Sequence, residues 1–116
     1  MRLIIAGGRH FMDYNLMKTK LDIILSSVDE DIQIVSGMAN GADTLGLRYA
    51  SENKLFVKEF YAEWGKHGKK AGPIRNKEMA EYSTHCICFW DGVSRGTENM
   101  ISLSKEYGLN LRVINY

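Results

Sequence analysis

His85–Thr97 reads HCICFWDGVSRGT: an apolar run, a glycine-rich turn, then residues suited to open a helix. The same order recurs three times upstream. RLIIA precedes Gly7 and Gly8, IQIV precedes Gly37 and Gly41, and LFVKEF precedes Gly65, Gly68 and Gly72. Nine of the 11 glycines lie in these four stretches, whereas the connections from helix back to strand carry only Gly108. Glycine serves where backbone must turn tightly or approach something closely. In an open parallel sheet, ligands bind outside the carboxyl ends of the strands. The glycines therefore mark that edge as the one that meets a ligand.

Between these stretches, strand and helix patterns alternate strictly. Strands are expected at Arg2–Ala6, Ile32–Val35, Leu55–Phe60, His85–Trp90 and Leu109–Ile114. A first helix is expected over Tyr14–Ser27, opened by Asp13 as N-cap, with Leu16, Met17, Leu21, Ile24, Leu25 and Val28 as its apolar stripe. Further helices are expected over Ala42–Asn53, from near Pro73 to Tyr82, and over Glu98–Tyr107, closed near Gly108. Such alternation implies a parallel sheet with helices on both faces, joined by right-handed crossovers. The expected fold is a single α/β domain over residues 1–116, doubly wound, with five parallel strands in the order 3-2-1-4-5. The first and fourth strands then meet at the switch point, flanked by Gly7-Gly8-Arg9 and Asp91–Thr97.

Bulk composition is that of an ordinary globular domain, 45% hydrophobic and 25% charged. The net charge of +1 gives no global reason to expect nucleic acid or a membrane as partner. No apolar run approaches the roughly 18 residues of a membrane span, and the MRLIIAGG start is too short for a signal peptide. Cys86 and Cys88, two apart in a strand, share one face and read as small buried hydrophobes rather than a metal pair. His10, His67 and His85 are scattered. No metal site and no cofactor are expected, and a cytoplasmic, reduced setting is.

The loop DGVSRGT combines the ingredients of a phosphate site. A helix start offers unpaired N–H groups and partial positive charge. Gly92 and Gly96 let those amides come close, Ser94 and Thr97 add hydroxyls, and Arg95 adds a charged fork. Thr97 as a plain N-cap is the simpler alternative. Gly7, Gly8 and Arg9 repeat the logic at the neighbouring strand, although neither stretch is a GxGxxG or Walker motif. In SGMANGAD, Ser36 and Gly37 precede a helix start near Asp43, which serves either the helix dipole or a ribose hydroxyl. AEWGKHGKKAGPIRN reads as the longest loop, with Trp64–Gly72 as a mobile lid. It carries Lys66, Lys69 and Lys70, with Trp64 available to stack a base, and places Arg75 and Asn76 in the first turn of the following helix.

Taken in order, GGRHF, SGMANGAD, AEWGKHGKKAGPIRNKEMA and FWDGVSRGTENMI resemble the YspA-like group of the SLOG superfamily across essentially the whole chain. That superfamily includes the Lonely guy phosphoribohydrolases and the Rossmann-like domain of DNA-processing protein A. The resemblance implies a modified Rossmann fold that binds nucleotides or molecules derived from them. Arg75-Asn76-Lys77-Glu78-Met79 is similar to the arginine-lysine-x-x-methionine part of the Lonely guy signature, with Asn76 in place of lysine. Ser94-Arg95-Gly96-Thr97 is similar to its phosphate-binding part. The position of that signature's catalytic glutamate is Met100 here, and Glu98 lies roughly 200° around the helix from it.

The expected function is binding of a nucleotide-derived small molecule, such as ADP-ribose, an NAD derivative or a nucleoside monophosphate, by a sensor or sequestering protein. A hydrolase of an N-glycosidic bond is the alternative, with Arg75 stabilising phosphate or leaving group and Glu98 or Asp91 as acid/base. Single-stranded nucleic-acid binding is a third, disfavoured by the charge. Self-association into a homo-oligomer is left open.

Overall fold

Within the first strand, Leu3 and Ile5 turn to one core and Ile4 and Ala6 to another. Strand residues alternate between faces, so a strand covered on both sides reads as a continuous apolar run. The computed structural model describes residues 1–116. Its elements are β1 (Arg2–Gly7), α1 (Tyr14–Leu25), β2 (Gln33–Ser36), α2 (Ala42–Glu52), β3 (Phe56–Glu59), α3 (Trp64–His67), a 3-10 turn (Gly68–Lys70), α4 (Ala71–Tyr82), β4 (His85–Trp90), α5 (Arg95–Glu106) and β5 (Asn110–Asn115).

The five strands form one parallel sheet in the order β3-β2-β1-β4-β5. One face, with Leu3, Ile5, Ile34, Ile87 and Phe89, is covered by α1 through Met17 and Leu21 and by α2 through Tyr49 and Ala50. The other face, with Ile4, Val35, Cys86 and Cys88, is covered by α4 through Met79 and Ala80 and by α5 through Met100 and Ile101. The two thiols lie 3.5 Å apart in that second core. Their mutual contact and burial push the Cys88 thiol well up, which keeps it protonated and inert. No helix is long and apolar enough to cross a membrane.

Asp13 caps α1 through an acceptor bond from the Leu16 amide, 3.0 Å long. Apart from ends that shift by one or two residues, three stretches differ from the sequence reading. Trp64–Lys70 is helical rather than a long loop, because Glu63 O accepts from the amides of Lys66 and His67 and starts a turn before any apolar periodicity is visible. This turn runs almost directly into α4, so Pro73 is its third residue, and Arg75 and Asn76 lie in its second turn. Helix α5 begins at Arg95, with Ser94 as its N-cap residue, so Thr97 is inside the helix.

The loops after β1 and β2 are locked together at one carbonyl. Gly8 O accepts from the amides of Phe11 and Ala42, each at 3.2 Å, while Gly8 N–H donates to Phe89 O on β4 at 3.2 Å. Gly41, immediately before α2, has φ +76°, and a Cβ there would strike the carbonyls of Gly8 and Arg9. A left-handed φ and a backbone collision are both incompatible with a side chain. Gly41→Ala is therefore expected to destabilise the fold by about 2 kcal/mol or more. Urea unfolding should show a lower midpoint; an unchanged midpoint would contradict this packing.

Candidate functional site

The switch point between β1 and β4 opens into a cleft of about 890 Å³ at the carboxyl edge of the sheet. That volume lies in the range of small-molecule sites. Of the residues singled out in the sequence, Gly7, Gly8, Arg9, Gly37, Asp43, Trp64, Arg75, Asn76, Asp91, Ser94, Gly96 and Thr97 line it. Ser36, Gly92, Arg95 and Glu98 do not. Ser36 is buried beneath the cleft, where its Oγ accepts from the Met38 amide at 3.1 Å and shapes the loop above. Gly92, at φ +85°, makes the turn that brings Ser94 back. Arg95 and Glu98 are exposed on α5.

On the β4 side, Asp91 Oδ1 accepts from the amides of Val93 and Ser94 at 2.9 and 2.8 Å. These two bonds hold the Asp91 carboxyl below its ordinary value, so it is an ionised part of the turn and unsuited to deliver a proton. Trp90 Nε1 donates to Ser94 O at 3.1 Å and pins the end of the same turn. Helix α5 then starts with three amides, those of Arg95, Gly96 and Thr97, that have no acceptor within the chain. Its first satisfied amide is Glu98, bonded to Ser94 O.

On the β2 side, Arg75 reaches across from α4. Its Nη1 donates to Gly37 O at 2.8 Å and its Nε to Asn76 Oδ1 at 3.2 Å. Asn76 in turn donates to Asn99 Oδ1 at 2.9 Å and lies against Gly96 O, so it braces α4 against the start of α5. Gly37 is where the charged groups meet: a Cβ there would lie 3.0 Å from Asp43 Oδ2 and 3.1 Å from the Arg75 guanidinium. Asp43 is only 6% exposed. Its Oδ2 accepts from the Ala39 amide at 3.1 Å, and its Oδ1 has no partner within the chain.

Burial pushes the Asp43 carboxyl up, against the opposing pull of the Ala39 amide and Arg75. Burial also pulls Arg75 down; Asp43 opposes this and the positive charge of Arg9 adds to it. Arg75 and Asp43 do not close into a direct ion pair. The cleft thus holds two mutually repelling cations and a carboxyl that burial disfavours as an anion. No cluster of three or more His, Cys, Asp or Glu is placed to hold a metal ion.

Several lining residues escaped the sequence reading. Met38, at φ +59°, Ala39 and Asn40 belong to the loop in which the sequence pointed to Ser36, Gly37 and Asp43 alone. Tyr116 follows β5, whose place beside β4 brings its carboxyl end to the same edge. The Tyr116 ring lies 4.7 Å from that of Phe11, which stacks on Phe89 at 4.8 Å, and its hydroxyl covers Gly8. Tyr61 at the rim and Met79 and Met100 at the floor complete the wall. Met100 is 1% exposed, so the position that corresponds to the Lonely guy glutamate is a packed thioether.

A family model, YAcAr, described as the YspA, cpYpsA-related SLOG family, matches residues 1–67. The chain belongs to this SLOG family. The match takes in β1 through α3, hence the Arg9 and Asp43 loops, and stops before Arg75 and the β4 turn. The Gene 61 protein of Mycobacterium phage D29 is 32% identical over 121 aligned residues, covering 99% of this chain and 95% of the phage protein. No solved structure matches the chain at a significant level.

The Asp43 environment gives a pH test with a definite sign. The folded state holds the Asp43 proton more tightly than the unfolded chain, whose carboxyl titrates near 3.8. Its favourable contribution is present below that value and is lost as pH rises through the raised folded value. Asp43→Asn, which keeps an acceptor for the Ala39 amide, is expected to raise the unfolding midpoint near neutral pH. The gain should vanish below pH 3.8. An equal gain at both pH values would show that titration of Asp43 is not its source.

Proposed function

We propose that this SLOG protein binds a nucleotide-derived small molecule in the switch-point cleft and acts as a sensor or sequestering protein. One observation carries the reading. Gly96 and Thr97, whose amides are unpartnered at the start of α5, line the same cleft as Arg9 and Arg75. Helix-start amides and arginine forks are the standard receptors for phosphate. Arg75, desolvated and repelled by Arg9, gains most from an anion placed between them. The carboxyl on the β2 side and the aromatics at the rim suit the rest of a nucleotide better than a bare phosphate.

Titration calorimetry with ADP-ribose, NAD and nucleoside monophosphates is the direct test. Arg9 is exposed and makes no bond within the chain, so Arg9→Ala removes charge without disturbing the fold. Both Arg9→Ala and Arg75→Ala are expected to weaken the bound nucleotide at least about tenfold, as for loss of a charged hydrogen bond. Unchanged affinity in both variants would remove the arginines from the site.

Turnover of the Lonely guy kind requires a carboxyl group at the scissile bond. Met100 offers none, Glu98 lies outside the cleft, Asp91 Oδ1 is held by its own turn, and Asp43, the remaining carboxyl of the cleft, stands beyond β2, two strands from the α5 start. Release of free base from nucleoside monophosphates is therefore expected to stay at background. General acid–base groups typically contribute about 10²–10⁴-fold. Robust release that disappears in Glu98→Gln would make the protein a hydrolase with a relocated carboxylate.

A further inference from the structure

The sheet has two free edges, β3 and β5, and they are built differently. β3 has four residues, with Lys58 and Glu59 among them. Short edge strands and edge charges are the usual guards against strand pairing. β5 has six residues and a single charge, Arg112, with no proline. Arg112 is in no ion pair. The amides of Asn110 and Tyr116 donate inward, to Thr84 O and Trp90 O on the β4 side. Backbone groups alternate in direction along a strand. The amides and carbonyls of Leu111, Val113 and Asn115 therefore face outward, where no strand pairs with them. Leu111 and Val113 rest on the core under α5 and Ile114 on the opposite one, each only half-buried.

We propose that β5 pairs antiparallel with β5 of a second copy of this chain, about a two-fold axis at Val113, and joins two five-stranded sheets into one. This pairing is independent of what the cleft binds. In an antiparallel pair, every second set of opposed residues exchanges both backbone bonds. Centred on Val113, the register sets Val113 against the partner's Val113, Leu111 against the partner's Asn115, and Asn115 against the partner's Leu111. Every outward amide and carbonyl of both strands is then bonded. The contact on the axis is apolar. Arg112 falls opposite the partner's Ile114, so the two guanidiniums lie diagonally apart. Centring on Arg112 would set the two guanidiniums face to face, and would turn Asn115 to the partner's Leu109, whose amide is already donated to Ser104 O. Centring on Ile114 would leave the counterpart of Leu111 outside the strand. β3 has no equivalent solution. Centred on Val57 it needs the Leu55 amide, which is donated to Ala50 O. Centred on Lys58 it opposes two ammonium groups, and like charges directly opposite are destabilising. A symmetric contact closes on itself, so assembly stops at two chains. The antiparallel sense also sends the two clefts to opposite ends of the joined sheet, and brings the partner's Asn110 opposite Tyr116 in the wall of each.

Sedimentation equilibrium of the native chain over a wide concentration range, with amide hydrogen exchange at both ends of that range, tests the proposal. The mass is expected to rise from that of one chain to that of two and no further. Where about nine-tenths of the chain is paired, the amides of Leu111, Val113 and Asn115 should exchange about tenfold slower, because they open only in the unpaired fraction. Those of Val57 and Glu59 should be unaffected. Val113→Lys places like charges on the axis and should stay monomeric with an unchanged circular dichroism spectrum. Val113→Cys covers the case in which that variant fails to fold. Opposed residues of a bonded pair have Cα atoms about 5.5 Å apart, within disulfide reach. This variant should therefore form a covalent dimer in oxidised glutathione, whereas the native chain, whose cysteines are buried, should not. Arg112→Cys, held diagonally from its counterpart, should cross-link poorly; cross-linking equal to that of Val113→Cys would overturn the register. A native chain that stays monomeric at every concentration overturns the proposal. So does a dimer whose three amides exchange as in the monomer, because the contact then lies elsewhere. Growth beyond two chains, with protection at Val57 and Glu59, would mean β3 joining β5 in an open array and would overturn it too.

Discussion

The backbone of Gly8 ties the carboxyl edge of the sheet together. Its N–H reaches β4, and its carbonyl receives both the β1 loop and the first amide of α2. Neither partner could come so close if Gly41 carried a side chain. Each backbone hydrogen bond contributes only about 1 kcal/mol net, but these three are geometrically dependent on one another. Moving α2 outward by the width of a methyl group would break the Ala42 bond, carry Asp43 away from Gly37 and open the floor of the cleft.

What collects on that floor is electrostatically unsettled. Arg75 is desolvated and faces a second cation, while Asp43 is buried without a direct ion pair. A core built for stability alone would pair these charges or replace them with apolar groups, which is often no worse for folding. Groups held in such surroundings cluster where proteins bind or transform something. The family assignment gives that physical argument a biological setting, since the half of the chain that the family model matches includes the loops carrying Arg9 and Asp43.

Much of this was legible in the sequence, because the signals were periodic or local. The apolar runs of β1 and β4 announced a sheet covered on both sides, and the glycines that follow them fall at the edge where the cleft opens. The turn of Asp91–Ser94 was visible as a glycine-rich helix entry, although the start of α5 was read three residues late. Trp64–Lys70 was misread because one turn of helix is too short to show a period and three charged residues occupy it. Met38, Tyr61 and Tyr116 were missed for a different reason. Their place at the cleft depends on which strands are neighbours and where each strand ends. The roles of Asn76 and Gly37 depend on side chains more than 20 positions away meeting in space.

The bracing described for the cleft walls bears on the thermodynamics of occupation. One wall is fixed by the Gly8 bonds and the other by Asn76 between α4 and α5. Little backbone remains to be ordered when a ligand arrives. The entropy surrendered on binding is concentrated in the exposed side chains of Arg9, Tyr61 and Trp64, about 0.5–1.5 kcal/mol for each rotamer-rich group immobilised. A cleft with walls so braced would need no folding step to take up a small, strongly hydrated molecule, nor to release it when its concentration falls.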